Sequence, residues 1–231
     1  MSHRIATMST ITGRMKNNIN GRNFTHSQAV ISELDALARA AEALDTVYKT
    51  RDPYQTQAYH DRNVSVASNR LAKRVDAATE KVGNIIQSGI RDIEARIAAK
   101  TKLKPGVHDQ EIRQIFRSKT STQQIEMLRN CIENGDSETL SALLIAPTSI
   151  TGLAAEMVSR FKEAFEMKQA PEEFEERSAL MEDFSTSYSV MQVARQFSTE
   201  LLDPKAVREA EIAKEKAVEA NAAFESTVNT I

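Results

Sequence analysis

The segment from Pro53 to Leu103 constrains the fold more than any other part of the sequence, because no strong helix breaker interrupts it. Its apolar residues recur in steps of three and four positions, which is the spacing of one face of a helix. At 1.5 Å per residue, a helix of this length extends over roughly 75 Å. A single short neighbour cannot cover so long a face. We therefore expect later segments, or a second copy of the chain, to cover the rest.

The preceding segment predicts the first partner of this long helix. Thr25 and Gln28 stand at capping-box spacing, and apolar residues then follow in steps of four and three. Asp52 and Pro53 suit the N-cap and the first position of the long helix. Because the link is short, we expect an antiparallel helical hairpin over residues 27–104. Its predicted helix-packing residues are Leu34, Leu37, Leu44, Leu71, Val75, Val82, Ile86, Ile93 and Ile97.

The rest of the chain also reads as helix. Pro105 and Gly106 end the hairpin, and residues 105–147 carry signals for a cluster of short helices, including a capping box at Ser121 and Gln124. Residues 148–231 return to long, acidic helices. The sequence therefore predicts an all-α fold, an elongated helical hairpin or bundle with coiled-coil-like long helices and a cluster of short helices in the middle.

Two apolar patterns are predicted in the acidic C-terminal part. The helix that begins at Pro171 is expected to bury an apolar stripe. The stripe is made of Phe174, Met181, Phe184, Tyr188 and Met191, continued one step round the helix by Ala194, Phe197 and Leu201. A last helix, from Pro204, has a weak seam of Val207, Ile212, Val218 and Phe224. This helix would be marginal alone in water, so we expect it to need a docking surface.

The N-terminal residues 1–26 are polar and basic, with no acidic residue before Glu33. Gly13, Gly21 and several asparagines are expected to break an amphipathic helix there, so the sequence predicts an arm. Charge is unequal along the whole chain. Residues 1–104 carry 17 basic and 10 acidic residues, a balance of +7, and residues 105–231 carry 13 and 22, a balance of -9. The two parts can neutralise each other within one fold, or can steer copies together.

The basic residues allow one alternative function, nucleic-acid binding. Phosphate contacts would come from the arm and from one face of the long helix. Asp76 and Glu80 interrupt that helix face, which favours a solvated surface with ion pairs instead. The candidate contacts, to nucleic acid or to an acidic partner, are Arg4, Arg14, Lys16, Arg22, Arg70, Lys73, Arg74 and Lys81.

Patterns that carry catalysis or metal binding are missing. Cys131 is the one cysteine, the four histidines are scattered, and no HExxH, CxxC or Glu-x-x-His pattern occurs. Glycines do not stand at the spacing of a phosphate-binding loop. We therefore expect a protein that is not an enzyme, with no metal, no cofactor and no small-molecule substrate. No apolar run approaches the roughly 20 residues of a membrane span, so no membrane partner is expected either.

One stretch carries a resemblance to known proteins. In residues 141–172 a short Leu/Ala helix ends at proline, and a small polar turn leads to Gly-Leu and the next helix. The residues of this pattern are Leu143, Leu144, Ala146, Pro147, Gly152, Leu153 and Met157. The stretch resembles uncharacterised all-helical proteins of tailed bacteriophages. That resemblance implies a virion or assembly role, with no catalytic residues to carry over.

The sequence therefore leads to two hypotheses of function. The first is a non-enzymatic structural or assembly protein, such as a bacteriophage scaffold, adaptor or internal protein, that oligomerises through its long helices. Its partners would be further copies of itself or other structural proteins, in the host cytoplasm and in the virion. The second is a monomeric helical regulatory or nucleic-acid-binding module that uses the basic arm and the helix face from Arg70 to Lys81.

Overall fold

The computed structural model describes residues 3–19, 22, 24–201 and 204–228. Of these residues 86% are helical and none lies in a strand, which confirms the predicted all-α class. No helix in the described residues combines the length and the apolar character that crossing a membrane requires. The helices are α1 (His3–Asn18), α2 (Thr25–Lys49), α3 (Gln57–Thr101), α4 (Asp109–Arg117), α5 (Ser121–Asn134), α6 (Ser137–Leu144), α7 (Thr148–Thr151), α8 (Ala155–Gln169), α9 (Pro171–Glu200) and α10 (Pro204–Val228).

The chain divides into two compact units. Unit 1 comprises Met1–Ile86 and Glu182–Ile231, and unit 2 comprises Gln87–Met181. The segments predicted from the sequence, 1–26, 27–104, 105–147 and 148–231, are contiguous stretches. Unit 1 instead draws on two distant stretches, because α3 and α9 each contribute residues to both units.

In unit 1, α2 and the first part of α3 form the predicted antiparallel hairpin. Glu33 on α2 forms ion pairs with Arg74 and Lys81 on α3. Nearer the turn, the His60 ring on α3 lies 3.2 Å from the Tyr48 carbonyl oxygen on α2. Residues late in α2 thus contact residues early in α3, which is the pairing of antiparallel helices.

The prediction that the long helix begins at Pro53 is wrong. The Asp52 side chain accepts a hydrogen bond from the Tyr54 backbone N–H at 2.9 Å, and its carbonyl accepts one from Gln55. These bonds close a turn at Pro53 instead of starting a helix. The Thr56 hydroxyl then accepts the Tyr59 N–H at 3.3 Å, so Thr56 caps α3.

The prediction of an N-terminal arm is wrong for most of its length, because His3–Asn18 form the helix α1. α1 continues through Gly13 and packs against α2. Ile5, Met8, Thr12 and Met15 recur in steps of three and four, and all four are buried. One glycine costs a helix only about 1 kcal/mol relative to alanine. We infer that burial of this apolar face outweighs that cost. Gly21 lies outside the described residues.

Unit 2 has its own core beneath the short helices. Its main buried side chains include Phe116, Leu128, Leu140, Leu143 and Phe165. The predicted capping box occurs one residue early, at Thr120 and Gln123, while Gln124 donates to the Phe116 carbonyl at 3.0 Å. Gly135 and Gly152 have φ of 69° and 77°, left-handed values that suit glycine at the ends of α5 and α7.

The apolar stripe predicted for α9 is wrong in its middle part and confirmed near its end. Met181, Phe184 and Tyr188 are 59%, 56% and 64% exposed. Met191 and the two following residues of the prediction, Ala194 and Phe197, are buried, and Phe174 and Leu201 are half-buried. Besides Met191, Ala194 and Phe197, the buried side of α9 includes residues that were not predicted, which are Glu173, Glu176, Leu180, Asp183, Ser187 and Val190. The aromatic residues misled the prediction, because it did not foresee that acidic residues would be buried.

α10 begins at Pro204, as predicted. Every α10 side chain that the structure describes is exposed. Ile212, Val218 and Phe224 follow one another at intervals of six residues, a turn of about 240° each time on a helix of 3.6 residues per turn. They therefore lie on different sides of α10, and the predicted seam is wrong. The Val207 side chain lies outside the described residues.

Candidate interaction surfaces

The predicted basic contacts on α1 are partly engaged within unit 1. Arg4 donates to the Glu200 carboxylate at 2.7 Å and to the Gln196 side chain at 2.6 Å. Lys16 forms an ion pair with Asp35 at 2.6 Å. Arg14 is exposed, and beyond α1 the Arg22 guanidinium lies 5.7 Å from the centre of the Phe24 ring. Two of the four cations thus hold α1 to other helices.

On α3, Arg74 and Lys81 converge on Glu33, which is only 5% exposed. Burial raises the pKa of the Glu33 carboxyl, but the hydrogen bonds and charges of Lys81 and Arg74 together outweigh burial, so the pKa is lowered. Arg70 and Lys73 remain exposed. The α3 face therefore offers fewer open cations than the sequence indicated. Nucleic-acid binding stays a prediction.

Further ion pairs join the basic and acidic parts of the chain. In unit 1, Arg195 pairs with Asp76. In unit 2, Lys100 on α3 pairs with Glu173 on α9 at 2.7 Å, and Arg96 pairs with Glu176. A hydrogen bond from Lys100 is the main reason why the pKa of Glu173 is lowered. These contacts pair the buried carboxylates of Glu173 and Glu176 on α9. They also show neutralisation of the charge imbalance within one chain.

The predicted helix-packing residues belong to the interior of this chain. Leu34, Leu37 and Leu44 on α2 are no more than 3% exposed, and the rest of the set on α3 is no more than 8% exposed. The α3 members of the set are Leu71, Val75, Val82, Ile86, Ile93 and Ile97. The seams of the hairpin therefore stabilise the monomer, and a partner would have to use another surface.

The described residues contain no group of three or more His, Cys, Asp or Glu side chains arranged to hold a metal ion. Cys131 is buried in the core of unit 2, where burial and the nearby Asp136 carboxylate raise the pKa of its thiol to about 11. A thiol with so high a pKa is a poor nucleophile at neutral pH. The ring of His108 contacts Glu111 on an exposed turn. None of these groups forms a catalytic arrangement.

A cavity of about 510 Å³ lies in unit 2. Its walls include Ile97, Leu103 and Leu144, and charged side chains also line it. The Glu166 carboxylate accepts a hydrogen bond from Arg177 at 2.7 Å and also pairs with Lys162. These three charged side chains therefore already have partners within unit 2.

Two helices expose large apolar side chains in unit 1. Phe184 and Tyr188 project from α9, and α10 exposes 68% of Phe224, 58% of Val218 and 46% of Ile212. Phe184 and Tyr188 stand four positions apart and share one face of α9, and contiguous exposed apolar surface of this kind marks an interaction site. Sequence reasoning missed the α9 surface because it assigned those aromatics to the core.

A common face of α10 exists, but the sequence analysis did not identify it. Ala213, Ala217, Ala220 and Phe224 recur in steps of four, three and four, and all are exposed. We call these residues the α10 seam. Alternation of four and three was the signal that could have found it, but alanine is too weakly apolar to stand out. Comparison with protein-family models, curated proteins and solved structures finds no match for this chain.

Proposed function

We propose that this chain is a non-enzymatic structural or assembly protein that self-associates through α10. The observation that carries the proposal is the exposure of all described α10 side chains, Phe224 among them at 68%. In globular proteins a helix gains most of its stability by packing an apolar face against something else. α10 has such a face and, within the described residues, buries none of it.

A second copy of α10 is the occupant that the charges favour. Residues 204–216 contain four basic and three acidic residues, a balance of +1, whereas residues 217–228 contain Glu219 and Glu225 and no basic residue, a balance of -2. In an antiparallel pair the basic half of each copy faces the acidic half of the other. In a parallel pair like charges meet. Antiparallel packing also places the positive end of each helix dipole beside the negative end of the other.

The α10 seam has a spacing that fits this arrangement. If Ala217 of one copy lies opposite Ala220 of the second, then Ala213 lies opposite Phe224, because both pairs of residue numbers sum to 437. Each large ring then meets a small methyl group, which lets the two helices approach closely. The seam covers three helical turns, so we expect a dimer that forms with modest affinity.

Light scattering coupled to size-exclusion chromatography tests this proposal. We expect the mass to rise with concentration from 25.7 kDa toward twice that value. Ala217→Glu should abolish the rise, because it places a charge in the seam. The matched control is Ala222→Glu, which makes the same change in the same helix about 140° away. A wild-type chain that stays monomeric at high concentration would sink the proposal, as would equal effects of the two variants.

The virion context rests on the resemblance of residues 141–172 to helical proteins of tailed bacteriophages. It is supported by the all-α fold, in which the described residues form no metal-binding cluster. Neighbouring genes test it directly, because a capsid or portal gene beside this one would support a role in phage assembly. A neighbourhood of metabolic genes would count against it.

A further inference from the structure

A polar groove of about 520 Å³ lies between α1 and α9 in unit 1. We call it the Asp183 groove. Its lining is rich in hydrogen-bond acceptors, since amides come from α1 and hydroxyl and carboxylate groups come from α9. The residues that matter for its chemistry are Arg14, Asn17, Asn18, Glu182, Asp183 and Thr186.

The carboxyl group of Asp183 is the unusual feature of this groove. The residue forms part of the groove lining yet is only 4% exposed, and its Oδ2 atom has no hydrogen-bond partner among the described residues. A buried polar atom is nearly always paired, because desolvation without a partner is costly. Rotation about the Cβ–Cγ bond exchanges the two carboxyl oxygens at little cost, so either can be presented to the groove.

The groups around Asp183 leave its charge uncompensated. Burial raises the pKa of Asp183, and the negative charge of Glu182 raises it further. The nearby Ser27 hydroxyl on α2 lowers the pKa of Asp183 in part. The geometry of the pair is nevertheless too poor for a hydrogen bond, and Ser27 Oγ has no hydrogen-bond partner among the described residues. Arg14 on α1 lines the groove, but it is exposed and forms no ion pair with Asp183 in the described structure. A positive group is therefore the missing partner.

The acceptors indicate which kind of positive group would fit. An ammonium group has three N–H donors, and here it would meet the Asp183 carboxylate, the Asn17 and Asn18 amide oxygens and the Thr186 hydroxyl. A guanidinium group prefers to bind both oxygens of one carboxylate. In Asp183 only the Oδ2 atom is buried without a partner, so the single-point contact of an ammonium group fits better. The described residues hold no cluster suited to a metal ion.

We propose that the Asp183 groove binds an alkylammonium group, which pairs with the Asp183 carboxylate. The ligand would be a free polyamine or a lysine side chain of a partner protein, which share this chemistry. This site is separate from α10, so its test does not depend on self-association.

Nuclear magnetic resonance of the full chain with labelled aspartate carbons tests the proposal. Butylammonium chloride is the first probe, and potassium chloride at equal ionic strength is its control. We expect butylammonium, and not potassium, to shift the Asp183 carboxyl resonance and to lower the pKa of that group. Spermidine and Nα-acetyl-lysine amide are then compared; tighter binding of spermidine indicates a polyamine, and equal or tighter binding of the lysine derivative indicates a protein side chain.

Variants separate the site from general charge effects. Asp183→Asn removes a charge-assisted hydrogen bond, so it should weaken butylammonium binding by roughly tenfold or more. Binding to this variant is measured through the backbone amide resonances of α1 and α9. Glu80→Gln removes one exposed negative charge from α3 and should leave binding unchanged. Arg14→Ala removes an exposed positive charge that repels the ammonium group, so it should tighten butylammonium binding. This variant keeps the proposal testable if Asp183→Asn does not fold. No response to butylammonium, or equal binding by wild type and Asp183→Asn, would overturn it.

Discussion

Arg4 Nε donates a hydrogen bond of 2.7 Å to the carboxylate of Glu200, so α1 is joined to the end of α9 although 196 positions separate the two residues. Both side chains are partly exposed, at 32% and 53%. We therefore expect Arg4→Ala to lower the free energy of unfolding by only about 0.5 kcal/mol at low salt. Urea denaturation at low and high salt measures this. High salt should reduce the difference in unfolding free energy between wild type and Arg4→Ala, because it screens the ion pair. A difference that does not change with salt would show that packing, not charge, is responsible.

Glu33 should matter more, because its carboxylate is buried and contacts two cations from α3. We expect Glu33→Gln to lower the free energy of unfolding by roughly 1–2 kcal/mol, since it removes both ion pairs. Glu80→Gln is the matched control on an exposed position and should change stability by less than about 0.5 kcal/mol. Urea denaturation of the three proteins at neutral pH gives the answer. Equal stability of the two variants would contradict the role given to Glu33.

The lowered pKa values of Glu33 and Glu173 predict acid sensitivity. A carboxyl with a lower pKa in the folded state than in the unfolded state adds stability above the unfolded value of about 4.5. That contribution disappears as the pH falls through the lower, folded pKa. Thermal unfolding measured between pH 7 and pH 3 should show the loss, and the loss should be smaller in Glu33→Gln. A variant with the wild-type pH dependence would contradict this assignment.

The pH dependence of stability expected from Asp183 has the opposite sign, because its folded-state pKa is raised above 3.8. Stability contributed by its protonated form is complete below the unfolded pKa and is lost as the pH rises through the folded value. We expect Asp183→Asn to be at least as stable as wild type at neutral pH, because the neutral amide avoids the burial of charge that raises the pKa of the carboxyl. Thermal denaturation at pH 4 and pH 7 measures this. A variant less stable than wild type at pH 7 would show that the ionised carboxylate has a partner within the fold.

Cys131 is expected to be unreactive in the native protein. The residue is 8% exposed, and the pKa of its thiol is raised to about 11, so very little thiolate is present at pH 8. Ellman's reagent should therefore label the native protein far more slowly than the same protein in denaturant. Fast labelling of the native chain would mean that this part of unit 2 opens readily.

The hairpin could be predicted because its seams consist of strongly apolar residues at regular spacing. Leu34 and Leu37 on α2, and Leu71 and Val75 on α3, are buried as the pattern indicated. Helix ends were less predictable. Asp52 and Pro53 favour a turn as well as a helix start, and the Thr56 cap, four residues later, carries no stronger signal than they do.

Burial of charge was the main feature that the sequence could not reveal. The buried side of α9 contains Glu173 and Glu176, which are stable there because Lys100 and Arg96 reach them from α3. That pairing depends on a contact between segments more than 70 positions apart. Local periodicity cannot report such a contact, so the aromatic side of α9 was mistaken for its buried side. The Asp183 groove was missed for the same reason.

Cysteine crosslinking of the α10 seam tests most directly the claim that two copies pair through it in antiparallel orientation. Ala213→Cys and Phe224→Cys are made separately, each with Cys131→Ser. Mild oxidation of a mixture of the two should give a crosslinked species at twice the 25.7 kDa chain mass, whereas either variant alone should stay uncrosslinked. Crosslinking of each variant alone would show a parallel pair, and no crosslinking in any sample would contradict pairing through α10.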